Sequence, residues 1–249
     1  MVHVTTKIQR ADAADIARVG EFTAATIHEA QGRRGALNSN ITPIDRDMSF
    51  VGSAFTVVCA PRDNLMLQVA IHYAQPGDVL IVSAGEFAEA GMFGDVLGNA
   101  CKAKGIAALV TDAGVRDTQE LRELGLPVFS GSVSIKGTVK ETLGALNQPV
   151  VFAGEIIYPG DIVKGDADGI VVVRREEARE AAELSAARDE SDKAKPQQAE
   201  LCASLFFNLL LLLRSRRSLT DARPCSSTYR GDVEGRVGRG ARDVRSAGG

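Results

Sequence analysis

Between residues 64 and 128 the chain alternates between helical spacing and short apolar runs. Residues 64–73 and 94–104 read as helices, while 79–83 (VLIVS) and 106–111 (IAALVT) read as short buried strands. The stretch 117–124 reads as a further helix, closed by Gly125 and then Pro127. Upstream, Ile16, Val19, Phe22, Ile27 and Ala30 recur near helical spacing and predict a helix over 11–33, where Gly32 and Gly35 break the pattern. Residues 50–58 (FVGSAFTVV) are β-branched and aromatic enough for a strand. Strand–helix alternation of this kind predicts an α/β unit with parallel strands. From 149 to 173 the pattern becomes a series of short β-runs, VVFAG, EIIYPGD, IVKGDADG and IVVV, which predicts a β-rich layer closing over that unit. Residues 174–195 are charged and Ala-rich, favouring a helix. Pro-Gly-Asp occurs at 76–78 and again at 159–161, each time before a β-branched run. Pro presets the first central turn position and Gly supplies positive φ at the second, so both read as turns into strands.

Beyond about residue 201 neither period holds. The apolar run LFFNLLLLL at 205–213 has nine residues where a membrane-spanning helix needs about 20. Arg, Gly and Ser dominate residues 214–249, a composition that predicts disorder. The chain therefore divides into an α/β domain over 1–200 and an atypical Arg-rich tail over 201–249. All nine basic residues of the tail are Arg, which suggests translation of a GC-rich gene in a shifted frame. Reading the coding DNA in the other two frames tests this, and finding no recognisable continuation in either would refute it.

Composition adds little to the body and sharpens the contrast with the tail. An apolar fraction of 45% and a charged fraction of 24% are ordinary for a globular protein. Residues 1–200 carry 20 basic and 28 acidic side chains, a net of −8, whereas 201–249 carry 9 and 4. No basic patch with interleaved aromatics supports nucleic-acid binding. The four cysteines lack a metal-like CxxC spacing, and the polar first ten residues do not resemble a signal peptide. A cytoplasmic protein with reduced thiols is expected, with Cys59 and Cys101 as core packing and no membrane partner.

The stretch from Gly85 to Glu120 holds the candidate chemistry. Gly94-Asp95 stands at a helix mouth, where unpaired amides and the positive end of the helix dipole favour an anion. The amides of Gly94, Asp95, Val96 and Leu97 could cradle a carboxylate, and equally Asp95 could be a simple N-cap. Arg116-Asp117 follow a buried strand, and ligands of open α/β sheets bind outside such strand ends. Arg suits bidentate binding of a carboxylate or enolate, and Asp offers oxygen to a hard cation. An N-cap Asp beside a solvated Arg explains the same pair. His28 could be a base, although a packed or hydrogen-bonding role is the more frequent one. Lys136 reads as a surface or structural lysine.

Asp95, twenty residues, Arg116-Asp117, two residues and Glu120 form the pattern D-x20-R-D-x2-E. This resembles the signature of the class II 4-hydroxy-4-methyl-2-oxoglutarate / 4-carboxy-4-hydroxy-2-oxoadipate aldolases, shared with proteins similar to the regulator of ribonuclease E activity A. The segments Ala25-Thr26-Ile27-His28-Glu29-Ala30, Ser134-Ile135-Lys136-Gly137-Thr138 and Pro159-Gly160-Asp161 through Ile170 extend the likeness over roughly residues 5–200. The resemblance implies an α-β-β-α sandwich of the swivelling β/β/α type, assembled as a homotrimer or homohexamer with active sites between subunits. It implies a lyase that releases pyruvate from a small 2-oxo acid and decarboxylates oxaloacetate as a side activity. Arg116 would stabilise the pyruvate enolate, Asp117 would bind Mg²⁺ or Mn²⁺ largely through water, and Asp95 would orient that water. Gly94 to Leu97 would bind the pyruvoyl carboxylate. A carboxylate from a neighbouring subunit matches the region Asp189-Glu190-Ser191-Asp192, where ungapped alignment selects Asp192. The other branch of the family implies a non-catalytic, protein-binding regulator of ribonuclease E activity. Retention of Asp95, Arg116, Asp117 and Glu120 favours the enzyme.

Overall fold

The computed structural model describes residues 3–87 and 89–194, so the tail expected over 201–249 lies outside the described residues, as do Cys202 and Cys225. In chain order the elements are β1 (His3–Val4), α1 (Ala13–Gly20), α2 (Ala24–Ala30), β2 (Thr42–Pro43), β3 (Phe50–Val58), α3 (Leu65–Tyr73), β4 (Asp78–Ser83), β5 (Gly91–Phe93) and α4 (Asp95–Lys104). They continue with β6 (Ala108–Val115), α5 (Thr118–Leu124), β7 (Val128–Val133), β8 (Ala145–Leu146), β9 (Val150–Phe152), β10 (Glu155–Ile157), β11 (Ile162–Asp166) and β12 (Gly169–Val173). A 3₁₀ turn at Arg175–Glu177 then leads into α6 (Ala178–Ala194).

Strands β3, β4, β6 and β7 lie side by side and parallel, in registers such as Ser53↔Asp78, Val79↔Ala108 and Leu109↔Val128. Their apolar runs are nearly continuous because both faces are buried. One face carries Phe55, Leu80, Val82 and Leu109, which pack on Met66 and Leu67 of α3, Cys101 of α4 and Leu121 of α5. The other face carries Ala54, Val79, Ile81 and Val110, which meet Val150 and Phe152 of β9, Val163 of β11 and Val172 of β12. Phe50 and Phe129 stand edge to face within that layer, 5.1 Å between centroids. Beyond β11–β12, Ile162, Val171 and Val173 pack on Val19, Ile27, Ala178 and Ala182 of α1, α2 and α6. The order of layers is thus helices, sheet, sheet, helices, as expected. The two β-layers are continuous through β3, whose first half pairs antiparallel with β11 (Phe50↔Gly165 to Ser53↔Ile162).

Both Pro-Gly-Asp turns are built alike. Gly77 and Gly160 have φ of 85° and 90°, as the turn type requires. Each buried Asp accepts a backbone N–H from three residues back, Gln75 to Asp78 Oδ2 at 2.8 Å and Tyr158 to Asp161 Oδ2 at 3.0 Å. Each also meets an arginine: Arg10 grips Asp78 with two bonds of 2.7 Å, and Arg174 reaches Asp161 at 2.9 Å while lying over the Tyr158 ring. Removing one partner of such a pair leaves a buried charge, at a cost of about 3–5 kcal/mol.

The structure corrects the sequence-based elements at three places. The single helix expected over 11–33 is two helices. Gly20 ends α1, where a Cβ would stand 2.7 Å from Val51 Cγ1. Thr23 then opens α2, its hydroxyl accepting the Thr26 amide at 3.2 Å and Asp166 accepting the Ala24 amide at 2.7 Å. The strand expected over 106–111 runs on to Val115, so Asp112-Ala113-Gly114 lies within it. There the buried Asp112 carboxylate accepts the amides of Ala84 and Glu86 and the Ser83 hydroxyl, at 2.6, 3.1 and 3.1 Å. Strands β1, β2, β5, β7 and β8 are not legible in the pattern. Cys59 and Cys101 are buried free thiols, as expected.

Candidate active site

The extra length of β6 brings two parts of the site together. Its last residues pair parallel with β5, Gly91↔Gly114 and Phe93↔Val115, and the Arg116 amide donates to Phe93 O at 2.9 Å. Chain direction then reverses into α4 immediately after β5. The start of α4 and the end of β6 therefore open on one cleft of about 320 Å³. That volume is at the lower end for small-molecule sites, which run about 300–1,000 Å³.

Gly94, not Asp95, occupies the N-cap of α4; Asp95 is the first helical residue. Gly94 is extended (φ −151°), so any residue suits its backbone; space is what excludes a side chain. A Cβ there would sit 2.2 Å from Asp117 Oδ2 and 3.1 Å from Arg116 Cγ. The Asp95 amide donates to Asp117 Oδ2 at 3.2 Å, and Arg116 Nε approaches the same oxygen at 3.3 Å. Asp117 precedes α5 in a left-handed conformation (φ 52°, ψ 42°) and makes no side-chain bond to cap that helix. Its carboxylate instead serves the mouth of α4. Of the four amides expected to cradle an anion, the one of Asp95 is thus engaged by Asp117, whereas Val96 and Leu97 have no intrahelical acceptor. Val96 is 72% exposed at the rim, and Leu97 packs partly on the core.

Other sequence-predicted residues fall elsewhere. Glu120 is exposed on α5 and does not line the cleft. Asp192 is on α6, in the helical layer with α1 and α2, and Arg188 approaches it at 3.6 Å one turn earlier. His28, on α2, directs Nδ1 at Arg34 O, 3.1 Å away, and lines a different hollow. Lys136 is paired with Glu89 on the surface, and that pairing lowers the pKa of the Glu89 carboxyl.

Sequence reasoning missed the second wall of the cleft, formed by Asn64, Gln68 and residues 137–140. Asn64 precedes α3 but does not cap it; its Nδ2 donates to Met92 O at 3.0 Å, and Gln68 Nε2 donates to its Oδ1 at 3.2 Å. The backbone of Asn64 donates to Val139 O at 3.1 Å, which brings Thr138 and Lys140 to the cleft. No local pattern marks Asn64, Gln68 or Lys140; Gly137 and Thr138 belong to a segment of family likeness that carried no site assignment.

Among the described residues no group of three or more His, Cys, Asp or Glu side chains is placed to hold a metal ion. Asp95 lines the cleft, and Asp117 stands behind the lining, its carboxylate against the Asp95 amide and Arg116 Nε. One or two carboxylates suit a Mg²⁺ that keeps most of its waters, so the donors fit a hydrated hard cation and not a soft-metal centre. No helix among the described residues is long and apolar enough to cross a membrane.

A family model described as RraA-like (Aldolase/RraA) matches residues 11–172. A Halalkalibacterium halodurans protein named "Putative 4-hydroxy-4-methyl-2-oxoglutarate aldolase" is 32% identical over 159 residues, 64% of this chain and 76% of that protein. A Pseudomonas fluorescens protein of the same name is 30% identical over 124 residues, 50% of this chain and 76% of that one. Among solved structures, Streptomyces coelicolor RraAS2, described as an unusual member of the RNase ES inhibitor RraA protein family, is 30% identical. It superposes with a TM-score of 0.68 over 76% of this chain and 100% of that one. The chain belongs to the RraA-like family.

Proposed function

We propose that this protein is a divalent-metal-dependent aldolase that cleaves 4-hydroxy-4-methyl-2-oxoglutarate or 4-carboxy-4-hydroxy-2-oxoadipate to pyruvate and a second 2-oxo acid. The observation that carries this reading is that Arg116 and the open mouth of α4 line one cleft and that Asp117 ties them together, within 3.3 Å of both. Relatives named as aldolases support it.

In this reading the substrate's 2-oxo acid end lies against the amides of Val96 and Leu97, where the helix dipole favours its carboxylate. Breaking the C3–C4 bond leaves an electron pair that becomes the enolate of pyruvate. Arg116 faces that developing charge, and a fixed cationic donor in a restricted site stabilises a transition state strongly. The 4-hydroxyl proton leaves as C4 becomes a carbonyl, Asp95 holds the water that receives it, and a proton from water is returned to C3 of the enolate to give pyruvate. Asp117 fixes the guanidinium and would carry the hydrated cation, with Asp95 beside it. A bound divalent cation supplies Lewis-acid polarisation of the 2-oxo oxygen. Oxaloacetate decarboxylation passes through the same enolate and follows as a side activity. The partners of this reading are a small 2-oxo acid and further copies of the chain in a homotrimer or homohexamer, with neither nucleic acid nor membrane. Asp192 would enter a neighbour's site in that assembly.

The test is pyruvate release from 4-hydroxy-4-methyl-2-oxoglutarate, coupled to lactate dehydrogenase, with Mg²⁺ or Mn²⁺. Metal-dependent release above background is the expected result; none with either cation overturns the reading. A non-catalytic regulator of ribonuclease E activity is the second reading, favoured by the likeness to RraAS2 over the whole of that chain. Inhibition of that ribonuclease by a preparation inactive as an aldolase would establish it.

A further inference from the structure

We propose that Lys140 is a specificity-determining residue that receives a second carboxylate at the end of the substrate away from the 2-oxo group. The proposal rests on the cleft being the 2-oxo acid site. Arg116 and the mouth of α4 are committed to the 2-oxo end of the substrate, and Asp117 holds Arg116 Nε there at 3.3 Å. The other wall differs. Lys140 lines it, and among the described residues no carboxylate pairs with its ammonium. Lys136, four residues earlier, is neutralised by Glu89 and does not line the cleft.

The neighbours of Lys140 form a fixed polar surface. Asn64 is held through both ends of its amide, to Met92 O and to Gln68 Nε2. That leaves Gln68 Oε1 and the Thr138 hydroxyl as the remaining polar groups of this wall. Residues 137–140 are tied to the start of α3 by two backbone bonds, Val139 N–H to Arg62 O at 2.9 Å and Asn64 N–H to Val139 O at 3.1 Å. The base of Lys140 is therefore placed, while its exposed side chain keeps the reach to meet an anion. An acid with one carboxylate would leave this ammonium in water and gain nothing from it. An acid with a second carboxylate gains a charge-assisted bond. The cleft then selects 2-oxo dicarboxylates over 2-oxo monocarboxylates of similar length.

The experiment measures binding by calorimetry on the full 249-residue chain, so it does not depend on turnover. The probes are 2-oxoglutarate, which carries a distal carboxylate, and 2-oxopentanoate, which has a methyl group in its place. The wild type should bind 2-oxoglutarate at least about tenfold more tightly, the least that a charged hydrogen bond contributes. Lys140→Ala should remove that preference and leave 2-oxopentanoate within about twofold, and Lys140→Arg should restore most of it. Equal binding of the two acids by the wild type, no binding of either, or an unchanged preference in Lys140→Ala overturns the proposal. Loss of the preference in a protein that releases no pyruvate would uphold the role of Lys140 while the aldolase reading fails. Matching melting temperatures of the three proteins exclude misfolding, to which an exposed lysine contributes little.

Discussion

The Asp117 carboxylate accepts the backbone N–H of Asp95 at 3.2 Å, across 22 residues of chain. Asp117 stands directly before α5, where an aspartate would ordinarily cap its own helix, yet it leaves that helix uncapped. Its left-handed backbone turns the side chain toward α4 and Arg116 instead. One oxygen thus organises both the anion-binding helix mouth and the guanidinium, and the site depends on this residue for geometry as well as charge.

Asp117→Asn separates the two roles. Asn tolerates the left-handed region and retains an oxygen for the Asp95 amide, but carries no charge. The melting temperature should stay within about 2 °C of wild type, a shift of under about 1 kcal/mol for a chain of this size. Metal-dependent pyruvate release should fall at least about 100-fold, the usual effect of removing one charge-positioning group. Activity within twofold of wild type would refute the role. Asp117→Ala should in addition lower the melting temperature, because a left-handed alanine costs roughly 1–2 kcal/mol.

Gly94→Ala tests the close approach itself. The added methyl would stand 2.2 Å from Asp117 Oδ2 and 3.2 Å from Arg116 Nε, so both side chains must move. They are the ends of flexible groups, and the glycine's extended backbone accepts alanine, so stability should change by less than about 1 kcal/mol. Displacing catalytic groups by about 1 Å can lower rates about 100-fold. A large fall in kcat/KM with an unaltered melting curve is expected. A fully active variant would show that the contact between Gly94 and Asp117 has no catalytic importance.

The parts of the fold and the candidate site that were legible in the sequence share a feature: they are local. The buried strands β4 and β6 announce themselves as apolar runs, and both Pro-Gly-Asp turns carry their own conformational chemistry. Asp95, Arg116 and Asp117 are the exception: each alone reads as a cap or a surface charge, and they stand out only through the resemblance of D-x20-R-D-x2-E to a family signature. The break between α1 and α2 was hidden because both helices bury residues on the same cluster, so Val19, Ala24 and Ile27 keep one face. Strand β5 is three residues long and exists only through its pairing with the end of β6. Asn64, Gln68 and Lys140 were invisible because a long-range contact, Asn64 to Val139, assembles their wall.

Arg116→Ala should reduce kcat/KM for pyruvate release by about 10²–10³, since its charge is needed as the enolate forms. Arg116→Lys should recover little. A lysine ammonium cannot keep a planar fork toward both Asp117 and a substrate oxygen. Equal losses in kcat and kcat/KM would mark a contact made only in the transition state; a rise in KM alone would reassign Arg116 to substrate binding.

Self-association is expected from the stretch 133–143. Ile135 is 91% exposed, Val133 63% and Leu143 59%, on the stretch that also supplies Lys140. Large apolar side chains this exposed along one stretch of chain are what contact between copies would cover. Sedimentation of the wild type should give a mass of three or six chains, and Ile135→Glu should shift it toward fewer. A wild type that sediments as a single chain at micromolar concentration would rule the assembly out.

Alkaline pH should destabilise the protein through two buried thiols. Burial pushes Cys59 and Cys101 up to about 12, from an ordinary 9.0. Above pH 9.0 the unfolded thiols lose protons that the folded ones keep, so the unfolded state binds fewer protons. Their stabilising effect is complete below that pH and declines as pH rises toward about 12. Each unit of difference corresponds to about 1.4 kcal/mol, which makes the decline measurable within one or two pH units. Melting temperatures recorded between about pH 8 and 11 should fall less steeply for Cys101→Ala than for wild type, whatever the offset at neutral pH from the lost sulfur. Parallel curves would mean that the buried thiol does not control the alkaline limb. The same burial predicts that, at neutral pH, a thiol reagent should modify peptides containing Cys59 and Cys101 only after unfolding, which mass spectrometry of the digested protein would read directly.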